Sequence, residues 1–446
     1  MKDKKVAILT NFFNFDETYS LCRVVVDQIK MLLRNGYEPI VIVSDSFEPE
    51  GTIFEKVDLR KVPNVACHNE VKKDDSFEKD VENIYLALKE HLKDVDVCIT
   101  QDIVYKPSEL KYNFAARRLA PELPNLLWLH WINSATPPIT LNSLMGMFTD
   151  QYLDLVRKPF PNSKYVFFND ISRDIIARNF GVTSDDVRIV HHPSDFFEVY
   201  GITSTLLQKF IDKREIFSAD AIFVYPIRLD RGKQVEYVIK TAASVKKLNM
   251  DVRCIIVDFH STGGDKVTYR DELKQIGMDW GLTPKELAFT SEFTDAWNVN
   301  IPHDDVLSLF RVSNVFVMPS VSESYSLITQ EAALTKNLIV LNQDFPPYRD
   351  IFGARNIFRK YSSNWDTMAG YDEAMRPGAG TFTKYGPANI SDSERKTYEQ
   401  SYHMDTAGMI VDRLKNDEQL ATNIHIRKNR WLDVVFKKEL EPLFYI

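Results

Sequence analysis

Short apolar runs alternate with helix-periodic stretches along most of this chain, and that alternation restricts the folds open to it. Residues 5–10 form an apolar run followed by a polar loop, a periodic segment over about 18–34, an Asn35-Gly36-Tyr37 stop and a second apolar run at 39–43. A strand, a helix and a strand in that order predict a parallel pair, since the crossover returns the chain to the same end of the sheet.

The pattern recurs. A helix at 78–93 leads to a strand at 95–100, another helical stretch to a strand at 125–131, a helix at 142–155 to a strand at 164–169, and Ile171–Phe180 to a strand at 187–190. Residues 196–218 interrupt it. A second series then runs through strands at 221–225, 252–257, 287–290, 314–318 and 338–342, with helices at 233–247, 268–281, 304–312 and 326–335. The expectation is an α/β chain of two tandem Rossmann-like doubly wound domains, 1–200 and 201–402, facing a central cleft. Residues 358–402 read as irregular, and 403–446 as C-terminal helices, 403–415 and 418–438, that brace the interdomain hinge. In such sheets ligands bind at the carboxyl ends of the strands, so the chemistry belongs in the loops that follow them.

Composition excludes several classes. With 446 residues, 44% hydrophobic and 26% charged, the chain can bury a sizeable core, and 16 Gly and 20 Pro are too few for a collagen-like or disordered protein. The formal net charge of −8 argues against an indiscriminate polyanion binder and disfavours nucleic acid. Cys22, Cys67, Cys98 and Cys254 lie far apart without a C-x-x-C pair, as expected of reduced core thiols in a cytoplasmic protein. No stretch of about 18 apolar residues is present to span a membrane. Helix 18–34 carries only Arg23, Lys30 and Arg34 against Glu17 and Asp27, a weak patch for docking on one.

Two segments carry chemistry. The first is 319–333, with Glu323 in the loop after a strand and Glu331 eight residues on in the next helix. The helix start offers unpaired N–H groups suited to a phosphate, while the carboxylates can accept hydrogen bonds from sugar hydroxyls on either side. The second is 225–237, where Arg228 and Lys233 stand in one short loop ahead of a helix, two fixed cations for charge building up on a departing phosphate. A nucleoside diphosphate leaving group then needs no metal.

These segments resemble retaining glycosyltransferases of the GT-B fold, family 4, with their E-x(7)-E motif and R-x-x-x-x-K-G donor-phosphate loop. Asp96 to Asp102 is similar to the family's D-V-x-x-x-x-D strand end, Phe167 to Pro193 to the segment closing the first domain, and His303 to Pro319 to the stretch leading into the Glu motif. The resemblance implies that Glu323 contacts sugar hydroxyls, Glu331 the ribose, and Arg228 and Lys233 the diphosphate. Tyr325, Ser326 and Leu327 would line the nucleotide side, and His130 would position groups near the donor sugar. Asn11 to Asp16 stands where the family often has a Gly-Gly loop, Gln234 replaces the Gly after the loop lysine, and Ser324-Tyr325-Ser326-Leu327 replaces G-F-G-L. Serine has less backbone freedom than glycine at such positions.

The resemblance therefore implies a metal-independent, retaining transfer without cofactor, from a nucleoside diphosphate sugar bound by the second domain to a hydroxyl acceptor bound by the first. The acceptor stays open among a glycan, a lipid-linked glycan, a small molecule, a protein and a hydroxymethylated DNA base. A GT-B nucleotide-sugar epimerase and a non-catalytic nucleotide-sugar-binding protein are the alternatives. Asp94-Val95-Asp96 has the D-x-D form of a metal site in another glycosyltransferase fold but caps a helix entering a strand here. His191-His192 reads as a structural turn before Pro193, Gly263-Gly264 as a turn or a wall of the nucleotide pocket, and Trp365 as part of a surface excursion or a loop over the cleft.

Overall fold

The computed structural model describes residues 4–16, 18–49, 51–63, 75–134, 154–156, 158–259, 266–321, 323, 325–361 and 391–446. The chain divides into two units. The first comprises Met1–Asp195 with Arg430–Ile446, and the second Phe196–Asn429.

The first unit is built on a seven-stranded sheet: β1 (Val6–Leu9), β2 (Ile40–Ser44), β3 (Asp58–Val62), β4 (Val97–Gln101), β5 (Leu127–Trp131), β6 (Ser163–Phe167) and β7 (Val187–Ile189). Its order is β3-β2-β1-β4-β5-β6-β7 and every pairing is parallel. The edge strand β3 is an addition to the sequence reading. Its Asp-Leu-Arg-Lys-Val sequence is partly exposed and carries three charges, so its apolar signal is weak. Helix Ser20–Arg34 buries Leu21, Cys22, Val25, Val26, Ile29 and Leu32 at helical spacing, and Gly36 at φ 76° ends it by adopting the left-handed backbone that a side chain resists.

The second unit has a six-stranded sheet: β8 (Ala221–Arg228), β9 (Val252–Phe259), β10 (Leu287–Phe289), β11 (Val315–Met318), β12 (Leu338–Asn342) and β13 (Ile357–Arg359). Its order is β10-β9-β8-β11-β12-β13, again all parallel. Each unit is thus a Rossmann-like α/β domain built on an all-parallel sheet. Strand β8 runs to Arg228, three residues past the expected end and through Pro226. It pairs with β9 along its length, whereas its register with β11 is Phe223 opposite Val315, so the missing N–H of Pro226 is tolerated beyond that point. Strand β13, at the edge of the sheet, is an addition to the sequence reading.

Helix Asp392–Asn416 begins within the stretch read as irregular, opened by a capping box of Ser391 and Glu394. The segment expected as one helix over 418–438 breaks at Trp431, whose extended backbone bridges Ser194. A short helix Leu432–Val435 follows. The tail is pinned within the first unit: Arg34 makes two hydrogen bonds to Asp433 at 3.1 and 2.9 Å, Tyr37 donates to Glu441 at 2.9 Å, and the His191 N–H donates to Glu439 at 2.8 Å. Most of helix 142–155, Cys67, Gly263-Gly264, Trp365 and most of the stretch around it lie outside the described residues.

Candidate active site

In each sheet the strand order reverses beside the first strand of the unit, between β1 and β4 and between β8 and β11, and there the loops diverge to opposite faces. In the second unit the two sequence-derived segments follow the strands on either side of that point. Lys233 ends a single 3₁₀ turn, Arg231–Lys233, and its ammonium forms an ion pair with Glu323 and lies 3.5 Å from the Ser320 hydroxyl. The loops are joined by backbone as well. The Val321 N–H donates to the Gly232 carbonyl at 3.0 Å.

Gln234, the departure from the glycine pattern, sits at φ 50° and is buried, with its side-chain amide donating to the Pro319 carbonyl at 2.8 Å. That hydrogen bond offsets the backbone strain a non-glycine residue meets in the left-handed region. Tyr225 closes the same turn by donating to the Lys233 carbonyl at 2.9 Å. Arg228 is placed differently from expectation. It is the last residue of β8 rather than a loop residue, its side chain is half exposed, and it pairs with Asp230 at 3.6 Å.

Helix Leu327–Leu334 opens at Ser326, which adopts φ 72°, again a left-handed backbone at a position where glycine costs nothing. Its hydroxyl lies 2.7 Å from that of Thr329. Leu327 and Tyr325 are exposed, and Tyr325 donates to Gln330 at 2.9 Å. Glu331, just over one turn into the helix, meets His303 Nε2 at 3.0 Å. His303 is a partner that motif reasoning missed, because its position at the start of helix His303–Val312 reads only as a helix terminus. Ser322 and Ser324 lie outside the described residues.

The first unit has a polar pair at its own switch point. Asn11, just past β1, donates its side-chain amide to Glu109, which follows β4. Glu109 is buried and desolvation pushes its carboxyl up to about 8, with Lys106 opposing the shift. Asp102, at φ 58°, accepts from the Tyr105 hydroxyl at 2.6 Å and the Asn133 N–H at 2.9 Å and pairs with Lys106 at 2.8 Å. Glu109 escaped sequence reasoning because an acid after Lys-Pro-Ser looks like an ordinary first-turn helix residue.

His130 corrects an expectation. It does not face open space at its strand end but is fully buried, its ring 4.4 Å from Phe160 and 5.6 Å from Tyr165, with Nδ1 at 2.9 Å from the Thr100 hydroxyl. Desolvation, reinforced by Arg117, holds its pKa well below the ordinary value, so it is a neutral core imidazole. Alternation along β5 turns it inward. Asp94 and Asp96 are paired with Lys5 at 2.6 Å and Lys4 at 3.2 Å, and no group of three or more His, Cys, Asp or Glu among the described residues is arranged to hold a metal ion. Cys22, Cys98 and Cys254 are free and buried, and no described helix is long and apolar enough to cross a membrane.

Among solved structures, the chain is similar to a glycosyltransferase from Rickettsia africae (14% identity, 100% of this chain and 98% of that one, TM-score 0.35). It is also similar to Anabaena Alr3699/HepE in complex with UDP (11%, 99% and 100%, TM-score 0.32) and to a sucrose-phosphate synthase from Thermosynechococcus elongatus (12%, 94% and 100%, TM-score 0.29). No curated protein matches it. Residues 208–370, all within the second unit and spanning both the Lys233 turn and the Glu323 loop, match the family described as glycosyl transferases group 1.

Proposed function

We propose that the chain is a metal-independent, retaining glycosyltransferase that moves a sugar from a nucleoside diphosphate sugar to a hydroxyl acceptor. The observation that carries this reading is the meeting of Lys233 and Glu323 at the switch point of the second sheet, inside the matched segment. A cation and a carboxylate side by side there can divide a donor between them, the ammonium taking the diphosphate and the carboxylate the sugar hydroxyls. Arg228 adds a second, half-exposed cation at the end of β8. The start of helix Leu327–Leu334 offers N–H groups to a phosphate oxygen, with Tyr325, Ser326 and Leu327 beside it, and Glu331 is assigned to the ribose hydroxyls.

In the proposed step the bond from the anomeric carbon to the diphosphate oxygen breaks and a bond to the acceptor oxygen forms on the same face. The acceptor proton passes to the departing phosphate oxygen. No carboxylate nucleophile is needed, and Lys233 and Arg228 stabilise the negative charge left on the diphosphate. The acceptor is assigned to the first unit, where a pocket of about 250 Å³ after β1 is lined by Asn11, Phe13, Asp16 and Tyr19. Helix Ser20–Arg34 gives a membrane surface little to bind, since Arg23, Lys30 and Arg34 pair with Asp27, Asp195 and Asp433. The free, buried thiols favour a cytoplasmic setting.

The test is a panel of nucleotide sugars, followed by thermal shift and hydrolysis, and then a panel of acceptors with the best donor. Proton NMR of the first-formed product should show the donor's anomeric configuration. An inverted product would overturn the stereochemical assignment, and donor turnover to an isomer without acceptor would replace transfer by epimerisation.

A further inference from the structure

At the amino ends of β11 and β12, the edge of the second sheet opposite Lys233 and Glu323, lies a pocket of about 510 Å³. Tyr200, Arg311, Lys336, Gln419 and Asn423 are among its walls. Arg311 donates to the Tyr200 carbonyl at 3.4 Å and the Ser308 hydroxyl at 3.3 Å, and Lys336 projects from a left-handed turn at φ 64°. Among the described residues neither cation lies within 4 Å of a carboxylate. Asp417, the acid in the wall, is occupied as a helix cap, accepting the Leu420 N–H at 3.0 Å.

A third cation stands behind this wall. Arg427 is 1% exposed, and its Nε and Nη1 have no hydrogen-bond partner among the described residues. Its Nη2 reaches the Asp220 carbonyl at 3.4 Å, which also accepts from Asn314, another residue of the pocket, at 2.8 Å. Burial draws its guanidinium down to about 10, with Tyr200 and Asp220 opposing the shift, so it remains charged at neutral pH. A buried guanidinium with unmet N–H groups is costly, and negative charge nearby would reduce that cost. The Asn423 amide donates to the Tyr200 hydroxyl at 3.1 Å, leaving its carbonyl oxygen available to a ligand hydroxyl.

We propose that this pocket binds a small phosphorylated sugar, with Arg311 and Lys336 holding the phosphate and Gln419, Asn423 and Tyr200 facing its hydroxyls. The site is separate from the donor site and does not rest on the transferase reading. Tyr200 lies on the segment by which the chain enters the second unit, and Asn423 on helix Glu418–Arg430, by which it leaves. A ligand held by both links those two segments.

Calorimetry on the full chain tests the proposal with glucose 6-phosphate as the probe, and with glucose and inorganic phosphate as controls. Saturable binding of the ester is expected, at least tenfold weaker in an Arg311→Gln/Lys336→Asn double variant and within twofold of the parent in Lys233→Ala. Asparagine suits the left-handed backbone at 336, both replaced side chains are exposed, and an unchanged melting temperature would confirm the fold. Absence of binding to the parent, full affinity in the double variant, or loss in Lys233→Ala alone would overturn the site. Equal affinity for inorganic phosphate would overturn its assignment to a sugar ester.

Discussion

Lys233 and Glu323 form an ion pair across ninety residues of sequence, joining the turn after β8 to the loop after β11. Both side chains are less than one-fifth exposed, so the pair is screened less than a surface bridge. A double-mutant cycle with Lys233→Ala and Glu323→Ala, read by urea unfolding, should give a coupling of about 1–2 kcal/mol. Additive single effects would show that the two side chains are not energetically coupled.

Donor contacts should separate by carboxylate. Glu331→Ala is expected to weaken nucleotide affinity, and Glu323→Ala mainly to lower turnover, each lost charged hydrogen bond costing roughly 1.5–3 kcal/mol. His303→Ala should act in the direction of Glu331→Ala but more weakly, because His303 holds that carboxylate at 3.0 Å without a ligand role of its own. Calorimetry with unchanged nucleotide binding in Glu331→Ala would refute the assignment.

Turnover should survive EDTA, since Lys233 and Arg228 supply the positive charge that a metal otherwise brings to a diphosphate. Loss of activity on chelation, restored by manganese, would overturn this and revive Asp94-Val95-Asp96 as a metal site.

Glu109 gives a stability prediction on the alkaline side. Its folded-state pKa of about 8 lies above that of an unfolded glutamate, so its contribution is full below the unfolded value, near 4.3, and is lost as pH rises through 8. Glu109→Gln should therefore match the parent near pH 4.5 and exceed it at pH 8.5, by at most about 5 kcal/mol. Parallel pH profiles from chemical denaturation would show that the carboxyl is not held protonated.

His130 should act on the acid side. Its folded-state pKa is depressed, so stability is present above the unfolded value near 6.5 and falls as pH drops below it, where only the unfolded chain takes up the proton. His130→Gln should flatten that fall between pH 7 and pH 5. An identical slope in parent and variant would place the proton uptake elsewhere.

Alternation of apolar runs and helical periods, together with Gly36 and the break at 196–218, determined two successive parallel α/β domains. Strand spacing and helix amphipathicity are local properties, set by which faces of each element must leave water. The E-x(7)-E spacing and the Arg228–Lys233 segment marked two loops of the second sheet, since each motif begins at or just after a strand end. Strands β3 and β13 stayed hidden because an edge strand need not be apolar. Tertiary structure alone decided the pairings. Sequence could not show that Lys233 meets Glu323, that His303 meets Glu331, that Asn11 meets Glu109, or that His130 turns into an aromatic core. Those relationships depend on strand order and on desolvation by neighbours distant in the chain, and a linear pattern contains neither.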